Sequence, residues 1–139
     1  MRTQEKVSTI MTQEVLTVDI NDPLTKVSEL FNSNKLRHLP VVSKNKLVGI
    51  ISHTDILRIS FGNTFEDDQL DADEAIFDML SINQIMKHSP FSVTVDQTIT
   101  EVAEILSEKQ FHALPVVKNN KLVGIVTTTD LIRYFLREE

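Results

Sequence analysis

The sequence predicts an α+β protein made of two β-α-β-β-α repeats packed with pseudo-twofold symmetry. Three observations carry that reading. A constant offset of 75 residues aligns the two halves of the 139-residue chain without a gap, and residues 39–58 match 114–133 at 13 of 20 positions; self-similarity at a fixed period marks a repeat architecture. Each half switches between alternating and three-to-four apolar spacing, the periods of strands and helices. Each half also holds two β-branched runs around a short polar turn, LPVVSKNKLVGIIS and LPVVKNNKLVGIVT, which read as a hairpin. A copy of about 60 residues alone buries little of its surface, so the repeats are expected to pack on each other.

The elements follow in order. A short amphipathic piece leads in, Val7–Met11 and Ile82–Met86, with Ile10-Met11 repeated as Ile85-Met86. Val15–Val18 and Phe91–Val95 are β-rich. A helix follows, with Pro23 suited to its first turn and Leu24, Val27, Leu30 and Phe31 on one face; Ile99, Val102, Ala103, Ile105 and Leu106 repeat the spacing. The hairpin comes next, then a closing helix, TDILRISF and TDLIRYFL. The first repeat is expected over residues 5–61, an acidic linker over 62–79 and the second repeat over 80–138. Gly62-Asn63 suits a helix end, and residues 73–80 suit a turn or two of helix with acids at its start.

The net charge of −6 is unevenly spread: residues 60–80 hold seven acids and no Lys or Arg, whereas 1–59 hold eight basic and six acidic residues and 81–139 six and seven. The acidic run is read first as a solvated face and second as a partner surface. Neither half shows the basic stripe that nucleic-acid binding needs, nor one suited to an anionic membrane surface. No apolar run reaches the ~20 residues of a membrane span. The first residues, MRTQEKVSTIMT, lack the apolar core of a secretory leader. With no cysteine in the chain, disulfides and thiolate chemistry are excluded, and a cytoplasmic location is expected.

Three glycines, Gly49, Gly62 and Gly124, cannot build a phosphate loop or a dinucleotide fingerprint. His38, His53, His88 and His112 lack metal-ligand spacing. Ser52, His53 and Asp55 resemble a nucleophile set only in sequence, and the second copy has Thr128 in place of His53. No enzyme is expected. The Ser52-to-Asp55 and Thr127-to-Asp130 spacing matches a capping box, worth about 1 kcal/mol. A helix-start acid can also accept the two protons of a vicinal diol, and the free N–H groups beside it favour an anion; ribose plus phosphate suits such a site. A glycine inside each second hairpin strand implies close approach of a backbone or a ligand.

The ordered set of IMT with VLTV, the LPVV hairpin and GIISHTD, then IMK with FSVTV, the second LPVV and GIVTTTD, resembles a tandem pair of CBS domains, the cystathionine beta-synthase type, also called a Bateman module. The resemblance spans residues 5–61 and 80–138. It implies a non-catalytic regulatory module that binds adenosine-containing ligands (AMP, ADP, ATP or S-adenosylmethionine) in clefts between the repeats and relays occupancy to an effector protein, with no required cofactor. It implies that Asp55 and Asp130 hold ribose hydroxyls and that Thr54 and Thr129 approach phosphate. Backbone at Thr17-Val18 and Ser92-Val93 would cradle adenine. Arg37-His38, and more weakly His112, would reach phosphate, so the Asp130 cleft is expected to be the tighter. Arg58 and Arg133 would face phosphate or form surface ion pairs. The resemblance also implies a homodimer. The alternative is a structural dimerisation module that binds no nucleotide.

Overall fold

A computed structural model describes residues 3–59, 75–109 and 111–137. The chain divides into two compact units, Leu16–Pro90 and Met1–Val15 with Phe91–Glu139. Each lead-in segment therefore lies in the unit formed by the other half's hairpin and helices.

In the Leu16–Pro90 unit the elements are β1 (Val18–Asp19), α1 (Leu24–Ser33), β2 (His38–Ser43), β3 (Lys46–Ser52), α2 (His53–Ile59), α3 (Ile82–Ile85) and β4 (Lys87–His88). Residues 75–79 are also helical, as the sequence suggests for 73–80, while residues 62–74 of the expected linker, with Gly62-Asn63, lie outside the described residues. β1 runs parallel to β2 with Val18 level with Val41, β2 and β3 form the antiparallel hairpin, and β4 joins β3 at Gly49 and Ile50. α1 begins one residue later than Pro23 alone implies, with Pro23 at the cap position. Just upstream, Asp22 accepts the Asp19 backbone N–H, which holds its carboxyl below the usual range. The apolar faces of these elements close on one core that includes Leu24, Val27, Phe31, Leu39, Val41, Ile51, Phe77, Ile82 and Met86.

The other unit repeats the layout with β5 (Val93–Thr94), α4 (Ile99–Lys109), β6 (Ala113–Lys118), β7 (Lys121–Thr127) and α5 (Thr128–Arg137). β5 is parallel to β6 and β6 antiparallel to β7, with the same local register and a bulge at the same place, Val116/Val117 matching Val41/Val42. The lead-in segment makes a 3-10 turn at Val7–Thr9, and Val7 is fully buried in the core with Val93, Ile99, Val102, Leu114 and Val126. Backbone bonds from Val7 N–H to Gln97 O (2.8 Å) and from Ile99 N–H to Glu5 O (2.8 Å) stitch this segment to the front of α4.

Both hairpins turn on two residues. Ser43 pairs with Lys46 and Lys118 with Lys121, leaving Lys44-Asn45 and Asn119-Asn120 with positive φ at both positions. That geometry favours Asn and Gly, because other L residues crowd the following carbonyl there. Lys44, at φ 51°, is the costly member. The repeated strand glycines have an equally local cause. A Cβ on Gly124 would lie 2.9 Å from the Thr12 carbonyl and 2.6 Å from Met11 Sδ, and one on Gly49 would overlap Met86 Sδ and lie 3.0 Å from the Lys87 carbonyl. The lead-in methionine and the backbone after it occupy that space, so the sequence's choice between backbone and ligand resolves to backbone.

Two outcomes follow in chemical denaturation. Lys44→Asn gains about 0.5–1 kcal/mol by relieving the left-handed turn. Gly124→Ala loses about 1–3 kcal/mol, because Thr12 is fixed by reciprocal bonds with Ile125 of 2.8 and 3.0 Å; an unchanged midpoint for the alanine variant would refute the close-approach reading.

Candidate functional site

Each unit presents the same strand-to-helix turn, built by a capping box. Ser52 is the last residue of β3, and its hydroxyl accepts the Asp55 N–H (3.1 Å) while Asp55 Oδ2 accepts the Ser52 N–H (2.9 Å). In the other unit Thr127 Oγ1 accepts the Asp130 N–H (3.1 Å) and Asp130 Oδ2 accepts the Thr127 N–H (2.9 Å). The serine hydroxyl is thus committed to the cap. His53 stands against the Phe31 ring of α1, centroids 5.3 Å apart.

The cap uses one oxygen of each aspartate, and the second differs between units. Asp55 Oδ1 accepts from Arg58 Nη1 at 3.3 Å, with the Arg58 side chain 72% exposed and that of Asp55 13%. Of the two expectations for Arg58, the surface ion pair is the one formed, and such pairs contribute at most about 1 kcal/mol. Among the described residues Asp130 Oδ1 has no such contact with Arg133, which is exposed.

The hairpin register carries the residues before β2 to the same turn. His38 pairs with Ser52, and the Arg37 carbonyl accepts the His53 N–H at 2.8 Å. Ala113 pairs with Thr127, and the His112 carbonyl accepts the Thr128 N–H at 3.0 Å. The side chains of Arg37 and His112 are exposed, His38 is half-buried, and Thr54 and Thr129 are exposed in the first turn of each helix. Val18 and Val93 are buried in their cores, so only their backbone can face a ligand, while Thr17 and Ser92 are half-buried. Val18 is level with Val41, three residues up the strand from His38, about 10 Å at 3.3 Å per residue.

Sequence reading did not find the Phe91–Phe111 ring pair, with centroids 6.2 Å apart, or Lys109 Nζ 5.7 Å from the Phe91 ring centre. These residues are far apart in sequence and no motif links them. Among the described residues no group of His, Asp or Glu could hold a metal ion, and no helix is long and apolar enough to cross a membrane.

Duplicated β-α-β-β-α units, each ending its hairpin on a capped aspartate, define a tandem-repeat α+β module. The chain belongs to the CBS-domain family, whose model matches residues 7–62 and 82–137. Protein MJ1225 of Methanocaldococcus jannaschii is 28% identical over 132 residues, 94% of this chain and 47% of that protein. CBSX2 from Arabidopsis thaliana, a CBS-pair protein, superposes with TM-score 0.83 at 27% identity, covering 98% of this chain and 97% of that one. A CBSX2 structure in complex with AMP gives TM-score 0.79 at 28% identity over 96% and 98% of the two chains. The CBS domain pair of protein MJ0100, in complex with 5′-methylthioadenosine and S-adenosyl-L-methionine, gives 0.73 at 26% identity over 94% and 98%. The chain spans between 24% and 47% of the length of several curated relatives it matches.

Alanine at Asp55 or Asp130 removes the carboxylate and its capping bond together, whereas Asp55→Asn and Asp130→Asn keep an acceptor for the capped N–H. The expected result is a loss of about 1 kcal/mol for each alanine variant and a smaller loss for each asparagine variant, read from denaturation midpoints. Equal losses for the two substitutions would mean that charge, not the capping bond, holds the turn.

Proposed function

We propose that this chain is a non-catalytic regulatory module that binds adenosine-containing ligands, with Asp55 and Asp130 each accepting ribose hydroxyls. The observation that carries the reading is the spare carboxylate oxygen. The cap engages Oδ2 in both units and leaves Oδ1 either held by an exposed arginine or free of such a contact, so a diol can be accepted without undoing the helix start. The exposed threonine hydroxyl beside each aspartate suits a phosphate oxygen. Family membership supports the ligand class, since the CBSX2 structure holds AMP and the MJ0100 pair holds 5′-methylthioadenosine and S-adenosyl-L-methionine. Occupancy acts on a partner protein through the difference in ligand affinity between two states of the module.

A second reading rests on a separate observation. α5 leaves Ile132, Phe135 and Leu136 exposed, and α2 leaves Leu57 exposed, which favours each closing helix as a self-association surface. Assembly as a homodimer accommodates the first reading; assembly without nucleotide binding replaces it.

Calorimetry with AMP, ADP, ATP and S-adenosylmethionine on the wild type and on Asp55→Asn and Asp130→Asn tests the function. Binding of at least one adenosine ligand, weakened about tenfold or more by one of the asparagine variants, is expected. Silence across the panel, together with a dimer that Leu136→Glu dissociates in sedimentation, would replace the regulatory reading with the structural one.

A further inference from the structure

An open cavity of about 540 Å³ lies beside the lead-in segment of the unit that holds α5, lined by Ser8, Met11, Gln13, Val95, Lys118 and Val123. It stands apart from the aspartate turn. Lys118 ends β6 at the hairpin turn, whereas Ala113, level with Thr127, begins it; at about 3.3 Å per residue the two ends of the strand are roughly 16 Å apart.

The other unit fills the matching place. At the 75-residue offset the lining becomes Asn83, Met86, His88, Ile20, Ser43 and Val48. There the chain stays on the sheet after its methionine: β4 pairs with Ile50 and Gly49, and the Ser89 N–H donates to the Val48 carbonyl at 3.3 Å. His88 Nε2–H donates to the Asn83 carbonyl at 2.8 Å, which ties the ring back to its own segment, and Met86 is buried. In the unit with the cavity, Thr12 pairs with Ile125, Gln13 leaves the sheet and Met11 is only half-buried. Ser8 and Val95 are also smaller than Asn83 and Ile20. The shorter pairing and the smaller side chains open space at one spot.

The lining has two chemistries. Met11, Val95 and Val123 are apolar; Ser8 and Gln13 are polar; Lys118 brings a cation where the other unit has Ser43. Lys118 is directly opposite Lys121 in the hairpin, so two ammonium groups share a sheet face, and like charges so placed destabilise a hairpin. Neither lysine has an ion-pair partner among the described residues. Asp96, which follows Val95, is paired with Lys6 at 3.1 Å.

We infer that this cavity is a second ligand site, separate from the aspartate turns, that takes a small organic carboxylate with a short apolar body. Lys118 holds the carboxylate, Ser8 and Gln13 donate to its oxygens, and the body lies against Met11, Val95 and Val123. Inorganic phosphate would satisfy the lysine and leave the apolar wall in water; a neutral molecule would do the reverse. The bound acid offsets the repulsion between Lys118 and Lys121. It also fastens the stretch of the lead-in segment that the sheet leaves unpaired after Thr12, a task that β4 and Ser89 perform in the other unit. The inference does not depend on the nucleotide reading.

The test is methyl NMR on the full chain titrated with hexanoate, hexanol and inorganic phosphate. Hexanoate is expected to shift the Met11, Val95 and Val123 methyls saturably in the millimolar range, the affinity open to so small a ligand. Hexanol and phosphate are expected to bind at least about fivefold more weakly, the worth of an exposed ion pair. Lys118→Ser, which copies Ser43, is expected to weaken hexanoate by the same factor and leave hexanol unchanged. The double variant Ser8→Asn with Val95→Ile, which copies the filled unit, is expected to abolish both, with methyl shifts elsewhere showing an intact fold. Absence of saturable shifts overturns the site. Equal binding of hexanol would make it a plain apolar hollow, and equal binding of phosphate a bare cation. Displacement of hexanoate by AMP would assign the cavity to the nucleotide site and end its separate role. None of these outcomes bears on whether Asp55 and Asp130 hold ribose.

Discussion

Each unit depends on how a strand becomes a helix without leaving buried polar groups unpaired. The first turn of a helix has N–H groups with no partner in the helix. At both turns one aspartate and one hydroxyl satisfy the strand's last N–H and the helix's third, and the carbonyl of Arg37 or His112 takes the helix's first. Four backbone positions are thereby tied in a small space, and the segment before the hairpin cannot move independently of the closing helix. The exposed side chains on those two segments inherit a fixed spacing. A carboxylate held by two roles of its own backbone is also preorganised: its rotamer is set before any ligand arrives, so ordering it adds little to the cost of binding.

The glycines show the same economy in another form. A glycine inside a strand gives up side-chain packing and adds conformational freedom to the unfolded chain. Gly49 and Gly124 offset that loss by admitting a methionine and the backbone behind it, and methionine's flexible thioether fills an irregular gap well. The lead-in segment is thus fastened by shape at the glycine and by hydrogen bonds at the adjoining residues. Val7 at one end and Met11 near the other bracket a 3-10 turn that would hardly hold by itself, since short helical pieces are marginal in water.

Much of this was legible in the sequence because its causes are local. The hairpins follow from β-branched runs around turn residues, the caps from a three-residue spacing, and the first-turn position of Asp55 and Asp130 from both. What escaped has non-local causes. VLTV and FSVTV read as four- and five-residue strands, but β1 and β5 are two residues long, since their length is set by the parallel partner and not by their own alternation. The lead-in segments follow the repeat in sequence yet group with the other half's elements, because the glycine pocket that receives each methionine lies well away along the chain, Gly124 for Met11 and Gly49 for Met86. Arg58 was evenly balanced between two roles from sequence. The pairing distance to Asp55 decides its state in this structure, and no propensity encodes that distance.

Internal duplication separates two kinds of requirement. Positions that match between the copies are mostly those where the backbone has a demand: the capped aspartate, the glycine under the methionine, the hairpin proline, the apolar faces. Lys44 and Asn119 differ at a left-handed turn position, but other differences lie where the backbone is indifferent, as at His53 and Thr128, Leu16 and Phe91, Leu36 and Phe111. Two copies with the same backbone demands and different exposed chemistry have similar folds but unequal surroundings for their aspartates. A ligand shifts a conformational equilibrium only by the difference in its affinity for the states involved. Two sites with identical surroundings can report only how much ligand is present, whereas two that differ can respond to different ligands or over different concentration ranges. On the proposed regulatory reading, the divergence around the matching aspartates is therefore the part of the sequence where a response can be set without disturbing the fold.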